Sequence, residues 1–197
     1  MKKYRLLFIL SALIFLSLNL SAQHILSLDI SYSSFLDARE PVYNPSLGLN
    51  FEYERDNFFY GIGYISFKPK ADTFYFIDDG SPSGYGTASF ENYITVPLYL
   101  GRNFPINLGD KFIIKPGLQL GLNYIKYEYD YQNSYSDVGS TYAGSTISIT
   151  PRIGFSYTFN ESWQIYLITK YIVQVTFDVE IHRIYSIGLG TSFYLFQ

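Results

Sequence analysis

Between Thr146 and Phe159 the chain alternates without a break. Thr146, Ser148, Thr150, Arg152, Gly154, Ser156 and Thr158 form one row, and Ile147, Ile149, Pro151, Ile153, Phe155, Tyr157 and Phe159 the other. Period two is the mark of a β-strand with one polar and one apolar face. Soluble strands usually run to about 5 to 6 residues, so this one is unusually long. It suits a strand that crosses a bilayer at a tilt, which takes roughly 9 to 11 residues plus a few in the interface. The polar row is also wrong for water, because six of its seven residues are uncharged and small. A soluble surface is roughly a quarter to a third Lys, Arg, Glu and Asp. Turned inside out the pattern is coherent: hydroxyls and glycine fill a narrow interior, and the Ile, Phe and Tyr row faces lipid.

The start of the chain reads differently. Lys2, Lys3 and Arg5 are followed by an apolar run from Leu6 to Leu16 and by small and polar residues from Ser17 to Ala22. That order predicts a secretory signal peptide over 1–22 and one mature domain over 23–197. Leu20 stands three before the expected cut, where a small residue is preferred, so an uncleaved anchor is the alternative. No later segment offers the roughly 18 consecutive apolar residues of a spanning helix. Crossing a membrane therefore requires a closed barrel, in which every backbone group is paired. Without the leader the chain has 11 Lys and Arg against 17 Asp and Glu, a net charge of about −6. Such an acidic chain is a poor partner for nucleic acid. It has no cysteine, which excludes disulfides, thiolate metal sites and a Cys nucleophile. Tyrosine is the commonest aromatic at 21 residues, and its ring suits a belt with one edge in lipid and the other in water.

Seven further alternating segments surround the first. They run from Leu26 to Ser33, Leu47 to Tyr53, Phe58 to Ile65, Tyr93 to Gly101, Ile114 to Tyr124, Trp163 to Gln174 and Tyr185 to Leu195. The connections alternate between long and short, with long loops predicted at 35–45, 67–89, 128–143 and 176–183. Glu54 to Asn57, Asn103 to Lys111 and Asn160 to Ser162 make the short turns. Even strand number and unequal ends predict an all-β, eight-stranded antiparallel up-and-down transmembrane β-barrel, with its long loops outside the cell. Pro97, Pro116 and Pro151 fall inside strands, where each removes a ladder donor. A bulge or a missing bond is expected at each.

The segment Tyr93-Ile94-Thr95-Val96-Pro97-Leu98-Tyr99-Leu100, the Gly117 to Gly121 strand, the Ala22-Gln23 junction and the Gly-rich aromatic last strand carry a resemblance. Together they resemble the small outer-membrane β-barrel domain family of Gram-negative bacteria, of the OmpX and OmpW types, across the whole mature chain. The resemblance implies residence in the outer membrane, contact with its lipid and lipopolysaccharide, insertion by the barrel-assembly machinery, a monomer, and no assigned catalysis. Such barrels commonly end on an outward aromatic, whereas here Leu195 is last in the outward row.

Asp29, Glu52, Lys115, Arg152 and Lys170 fall in inward rows. An eight-stranded barrel is about filled by its own side chains, so these charges are expected to pair across a packed lumen. A narrow conduction path is the alternative. Inward glycines leave room for Tyr99, Tyr166 and Tyr194. His182 with Ser186 is the one pair that could act as base and nucleophile in a lipid-modifying enzyme. An isolated histidine is the simpler reading. Glu128 to Asp137, rich in Tyr, Ser and Asn, suits a recognition loop, or else continues its strand above the membrane with its tyrosines in the girdle. Asp78, Asp79, Asp130 and Asp137 match no calcium-loop spacing and read as solvated charge. No cofactor or metal is expected, and the predicted role is structural, adhesive or surface-interacting.

Overall fold

The computed structural model describes residues 24–77, 85–132, 137–176 and 180–196. The predicted leader at 1–22, together with Asp78 and Asp79, lies outside them. Eight long strands build the wall: β1 (His24–Phe35), β2 (Ser46–Arg55), β3 (Phe58–Phe67), β6 (Tyr93–Asn103), β8 (Phe112–Gln132), β9 (Asp137–Asn160), β10 (Trp163–Thr176) and β11 (Ile181–Phe196). Each pairs antiparallel with the next, and β1 closes on β11 from Ile25–Tyr194 to Phe35–Ile184. Three short strands are added to this wall. β4 (Phe74–Ile77) and β5 (Tyr85–Phe90) form a hairpin that continues onto the outer part of β8, and β7 (Ile106–Asn107) pairs with β8 at the opposite end.

The greasy rows face outward. Leu120 and Leu189 are 49% and 65% exposed, while Thr150, Gln119 and Ser192 are 0%, 4% and 4% exposed. Water would penalise such a coat of leucine and isoleucine; lipid does not. Aromatic rings mark the coat's two edges. At the inner edge Trp163 meets Phe193 at 4.3 Å, Tyr53 meets Tyr60 at 5.1 Å and Phe112 meets Tyr157 at 5.0 Å. At the outer edge Tyr32, Tyr64, Tyr124, Tyr171 and Tyr185 are exposed, with Tyr171 and Tyr185 opposite each other. Midway between these edges Leu167 faces Leu189. The eight-residue rise from Trp163 to Tyr171 spans about 27 Å, or about 21 Å along the axis at a tilt of about 40°, close to the apolar band of an outer-membrane barrel.

The three prolines leave gaps in the ladder without bulges. Pairing of β3 with β6 passes from Ile62–Leu98 to Ile65–Thr95 around Pro97, and that of β10 with β9 from Lys170–Arg152 to Val173–Ile149 around Pro151. Around Pro116 the pairing passes from Asn103–Gly117 to Ile106–Ile114, with the Phe104 amide still donating to the Pro116 carbonyl at 2.7 Å. The register is the same on both sides of every gap. Each proline thus interrupts the ladder without shifting it.

Inward glycines act as sockets. A Cβ on Gly190 would stand 2.5 Å from the Tyr166 ring and 2.5 Å from the Leu28 carbonyl oxygen. Gly190→Val should therefore destabilise the barrel by about 1–3 kcal/mol through overpacking, read as a lower urea midpoint in lipid vesicles.

Two loop predictions are corrected. The 128–143 segment is mostly strand, since β8 runs to Gln132 and β9 begins at Asp137, and 67–89 contains the β4–β5 hairpin. Paired backbone on β8 explains both, because the long strand offers its outer edge to β5 on one side and β9 on the other.

Candidate functional site

The inner half of the lumen is an ionic layer. Arg152 grips Glu52 with two bonds, Nη1 to Oε2 at 2.5 Å and Nη2 to Oε1 at 2.9 Å, and its guanidinium lies 3.9 Å over the Phe59 ring. Lys170 approaches Asp29 at 3.6 Å, and Asp29 also accepts from Asn50 at 2.7 Å and Tyr166 at 3.4 Å. Lys115 reaches Glu54 at 3.3 Å, with Asn103 donating to the same carboxylate at 3.0 Å. The five charges singled out in the sequence thus all point inward. They form three pairs and need Glu54, which lies one residue past the predicted strand end at Tyr53. Asn50, Glu52 and Glu54 continue one inward row, so the period-two signal was there and stopped one step early.

The outer half of the lumen is closed by an apolar cluster. Phe35, Phe67, Tyr93, Ile125 and Ile184 are buried there, with Tyr43 of the β1–β2 loop folded onto them. Phe35 packs on Phe67 at 4.4 Å and edge-on against Tyr93 at 5.1 Å. Burial pushes the Tyr43 hydroxyl up to about 12, with the Arg39 charge pulling the other way. Between the two halves remains a cavity of about 10 Å³, lined by Asn50, Thr95, Gln119, Asn123, Lys170 and Gln174 among others. That is room for about one water.

His182 lies beyond Tyr185, outside the outer girdle, and is wholly buried at the cap's edge. Its Nδ1 is 2.7 Å from the Tyr93 hydroxyl and its Nε2 is 3.4 Å from Glu180, which Arg39 also holds at 2.8 Å. Burial first, and then the Arg39 charge, hold the imidazole below its ordinary value. Ser186 bonds to Ser33 instead, at 2.9 Å. The sequence-level pair of His182 and Ser186 is therefore occupied elsewhere on both sides.

Burial alone would raise the Glu180 carboxyl, but its bonds from His182 and Arg39 outweigh this and leave it below the usual carboxylate range. A depressed acid stabilises above its unfolded value and loses that contribution as pH falls through the folded one. The Arg39–Glu180 tie should therefore loosen in acid. Hydrogen exchange at Leu36, whose amide donates to the Arg183 carbonyl at 2.8 Å, should then speed up relative to barrel amides after correction for intrinsic rate.

Above the cap, β5, β8 and β9 continue as sheet and carry stacked rings. Tyr127 lies parallel to Tyr93 at 5.5 Å and to Tyr142 at 5.2 Å. Of the tyrosines in the predicted recognition loop, Tyr129 and Tyr131 lie on this sheet, beyond the outer girdle, and Tyr135 lies outside the described residues. Asp130 lies on that sheet, and Asp137 pairs by backbone with Gln132. Among the described residues no three His, Asp or Glu converge as metal ligands.

No protein-family model matches the chain, and no curated protein does. Solved structures do. Neisserial surface protein A (NspA) is 13% identical, over 88% of this chain and 98% of that one, with a TM-score of 0.51. The N-terminal β-barrel domain of Pseudomonas aeruginosa OprF is 15% identical over 89% and 100% of the two chains, at 0.49. Ail of Yersinia pestis is 12% identical over 88% and 97%, at 0.45. At these identities the likeness is one of fold. That fold is the small eight-stranded β-barrel of outer-membrane proteins, and the outward apolar rows of this chain fit it to lipid.

Proposed function

We propose that this protein is an integral outer-membrane protein, exported by its leader, whose barrel is a plugged anchor for a surface-exposed interaction face. The observation that carries the reading is the filled lumen: an ionic layer below, an aromatic cap above, and about 10 Å³ between them. A barrel so filled conducts nothing larger than occasional water, which leaves the outer rim as the part able to meet a partner. NspA, which shares the fold, is by name a surface protein. Outer-membrane lipid and lipopolysaccharide surround the wall, the barrel-assembly machinery inserts it, and a monomer with no nucleic-acid partner fits the sealed, acidic chain. No cofactor and no catalysis are part of this reading.

Folded protein in planar bilayers should stay electrically silent, while the rim lysines Lys68 and Lys70 should take an impermeant amine label on intact cells. Discrete conductance steps, or lysines labelled only after lysis, would overturn it. A lipid-modifying activity based on His182 is the competing reading. It predicts that His182→Ala changes the outer-membrane lipid profile, whereas the anchor reading predicts the parental profile.

A further inference from the structure

A hollow of about 650 Å³ crosses the lipid-facing wall over β3, β6 and β8 and reaches Ile147 of β9. Its floor is the strip where Gly61, Tyr99 and Gly121 pair side by side, all three in inward rows. One bank is the outward row Tyr60–Leu100–Leu120, and the other is Leu98–Leu122–Ile147. Both banks are apolar or aromatic throughout.

The next outward row toward the inner edge is Phe58–Arg102–Leu118. It puts an exposed guanidinium beside the hollow, with Leu100 and Phe104 as its outward neighbours along the chain. The apolar coat does not end at this charge, because Phe104, Ile106 and Leu108 beyond it are all more than half exposed. Arg102 therefore stands within the lipid-facing surface. Its guanidinium lies 4.9 Å from the centre of the Phe58 ring and 5.6 Å from that of Phe104. These rings offset part of the charge but accept none of its hydrogens as a carboxylate would. Asp56, at the nearby turn, is engaged by Arg55 at 3.5 Å, and among the described residues Arg102 makes no salt bridge.

A charge on the lipid face is costly unless a group of opposite sign meets it. Acyl chains have none to offer. A lipid phosphate does, and it fits the guanidinium fork through two parallel N–H···O bonds. A headgroup with net negative charge suits the place better than a zwitterion, which would bring its own ammonium to the same cation. We infer that this part of the wall holds one anionic glycerophospholipid of the inner leaflet, its phosphate on Arg102 and an acyl chain laid in the hollow. The order is that of a lipid standing in its leaflet, with the headgroup at the inner edge and the chain toward the middle. The site lies on the wall and goes beyond the rim reading, so either can fail without the other.

The test uses the mature chain folded in maltoside micelles, whose uncharged headgroups contain no phosphate. Short-chain phosphatidylglycerol is titrated in and followed by nuclear magnetic resonance at the Arg102 side-chain N–H and at the methyls of Leu98 and Leu122. Both sets of signals should move together and saturate, while Leu189, elsewhere on the wall, stays still. Arg102→Gln should weaken binding at the methyls about tenfold or more, the loss expected when hydrogen bonds to a charged group are removed. Leu98→Trp, which fills the hollow and keeps the charge, should weaken it as well. Retention of the heat-modifiable gel shift shows that each variant is folded. Diacylglycerol with the same chains lacks the phosphate, and glycerol phosphate lacks the chains, so both should bind more weakly than the intact lipid. Equal binding by either fragment, unchanged binding by Arg102→Gln, or shifts spread evenly to Leu189 would each overturn the inference, since lipid would then merely coat the wall.

Discussion

Glu52→Gln should destabilise the barrel by about 3–5 kcal/mol, because it strands a buried guanidinium without the carboxylate it is bonded to. Arg152 and Glu52 are 6% and 7% exposed at their side chains and joined by two bonds, so neither can be left to water. Phe59 covers one face of the guanidinium and offers nothing to accept its hydrogens. Removing both charges is a different experiment. A buried pair returns little more than its own desolvation cost, so Glu52→Gln combined with Arg152→Met should recover most of the loss. Urea unfolding in lipid vesicles, with the heat-modifiable shift as a second probe, measures both. A single variant within about 0.5 kcal/mol of the parent would mean that this pair is solvated and the lumen wet.

Leu189→Arg should cost about 2–4 kcal/mol, the penalty of placing a charge on the lipid face at the middle of the bilayer. The position is chosen by geometry, since Leu189 faces Leu167 halfway between the Trp163–Phe193 and Tyr171–Tyr185 levels. It is 65% exposed, so no core contact of any size is lost. In a water-facing barrel the same exposed substitution would fall within about 0.5 kcal/mol of the parent. Refolding into vesicles rather than detergent is the informative condition, because a micelle deforms around the charge.

The wall was legible in the sequence because every strand had one face for oil and one for hydroxyls, as in Ile147 to Thr150. Period two then fixes which residues look inward. Pro97, Pro116 and Pro151 were legible as ladder faults, though not as faults that keep register. The aromatic cap was not legible. Phe35, Phe67, Tyr93, Ile125 and Ile184 point inward at strand ends where Ser34, Ser66, Lys126 and Arg183 stand beside them, so the polarity that marks the inside lower in the wall is lost there. Glu54 was missed for a related reason: the sharp turn after it drew the strand boundary one residue early, although Asp56 and Asn57 with positive φ are the actual turn residues. The outer sheet was hidden by its composition, because Tyr, Ser and Asp read equally as loop or as solvated strand. Its order comes from the long β8–β9 pairing, which reaches Gln132–Asp137.

The most direct test of the lipid-facing wall is nuclear Overhauser transfer from acyl-chain methylenes to protein methyls in nanodiscs. Ile147, Ile149, Leu120 and Leu189 should receive it strongly, and Thr146, Thr150, Ile168 and Ile172 not at all. Transfer to Thr150 and Ile168 with silence at Leu120 and Leu189 would contradict the inside-out barrel.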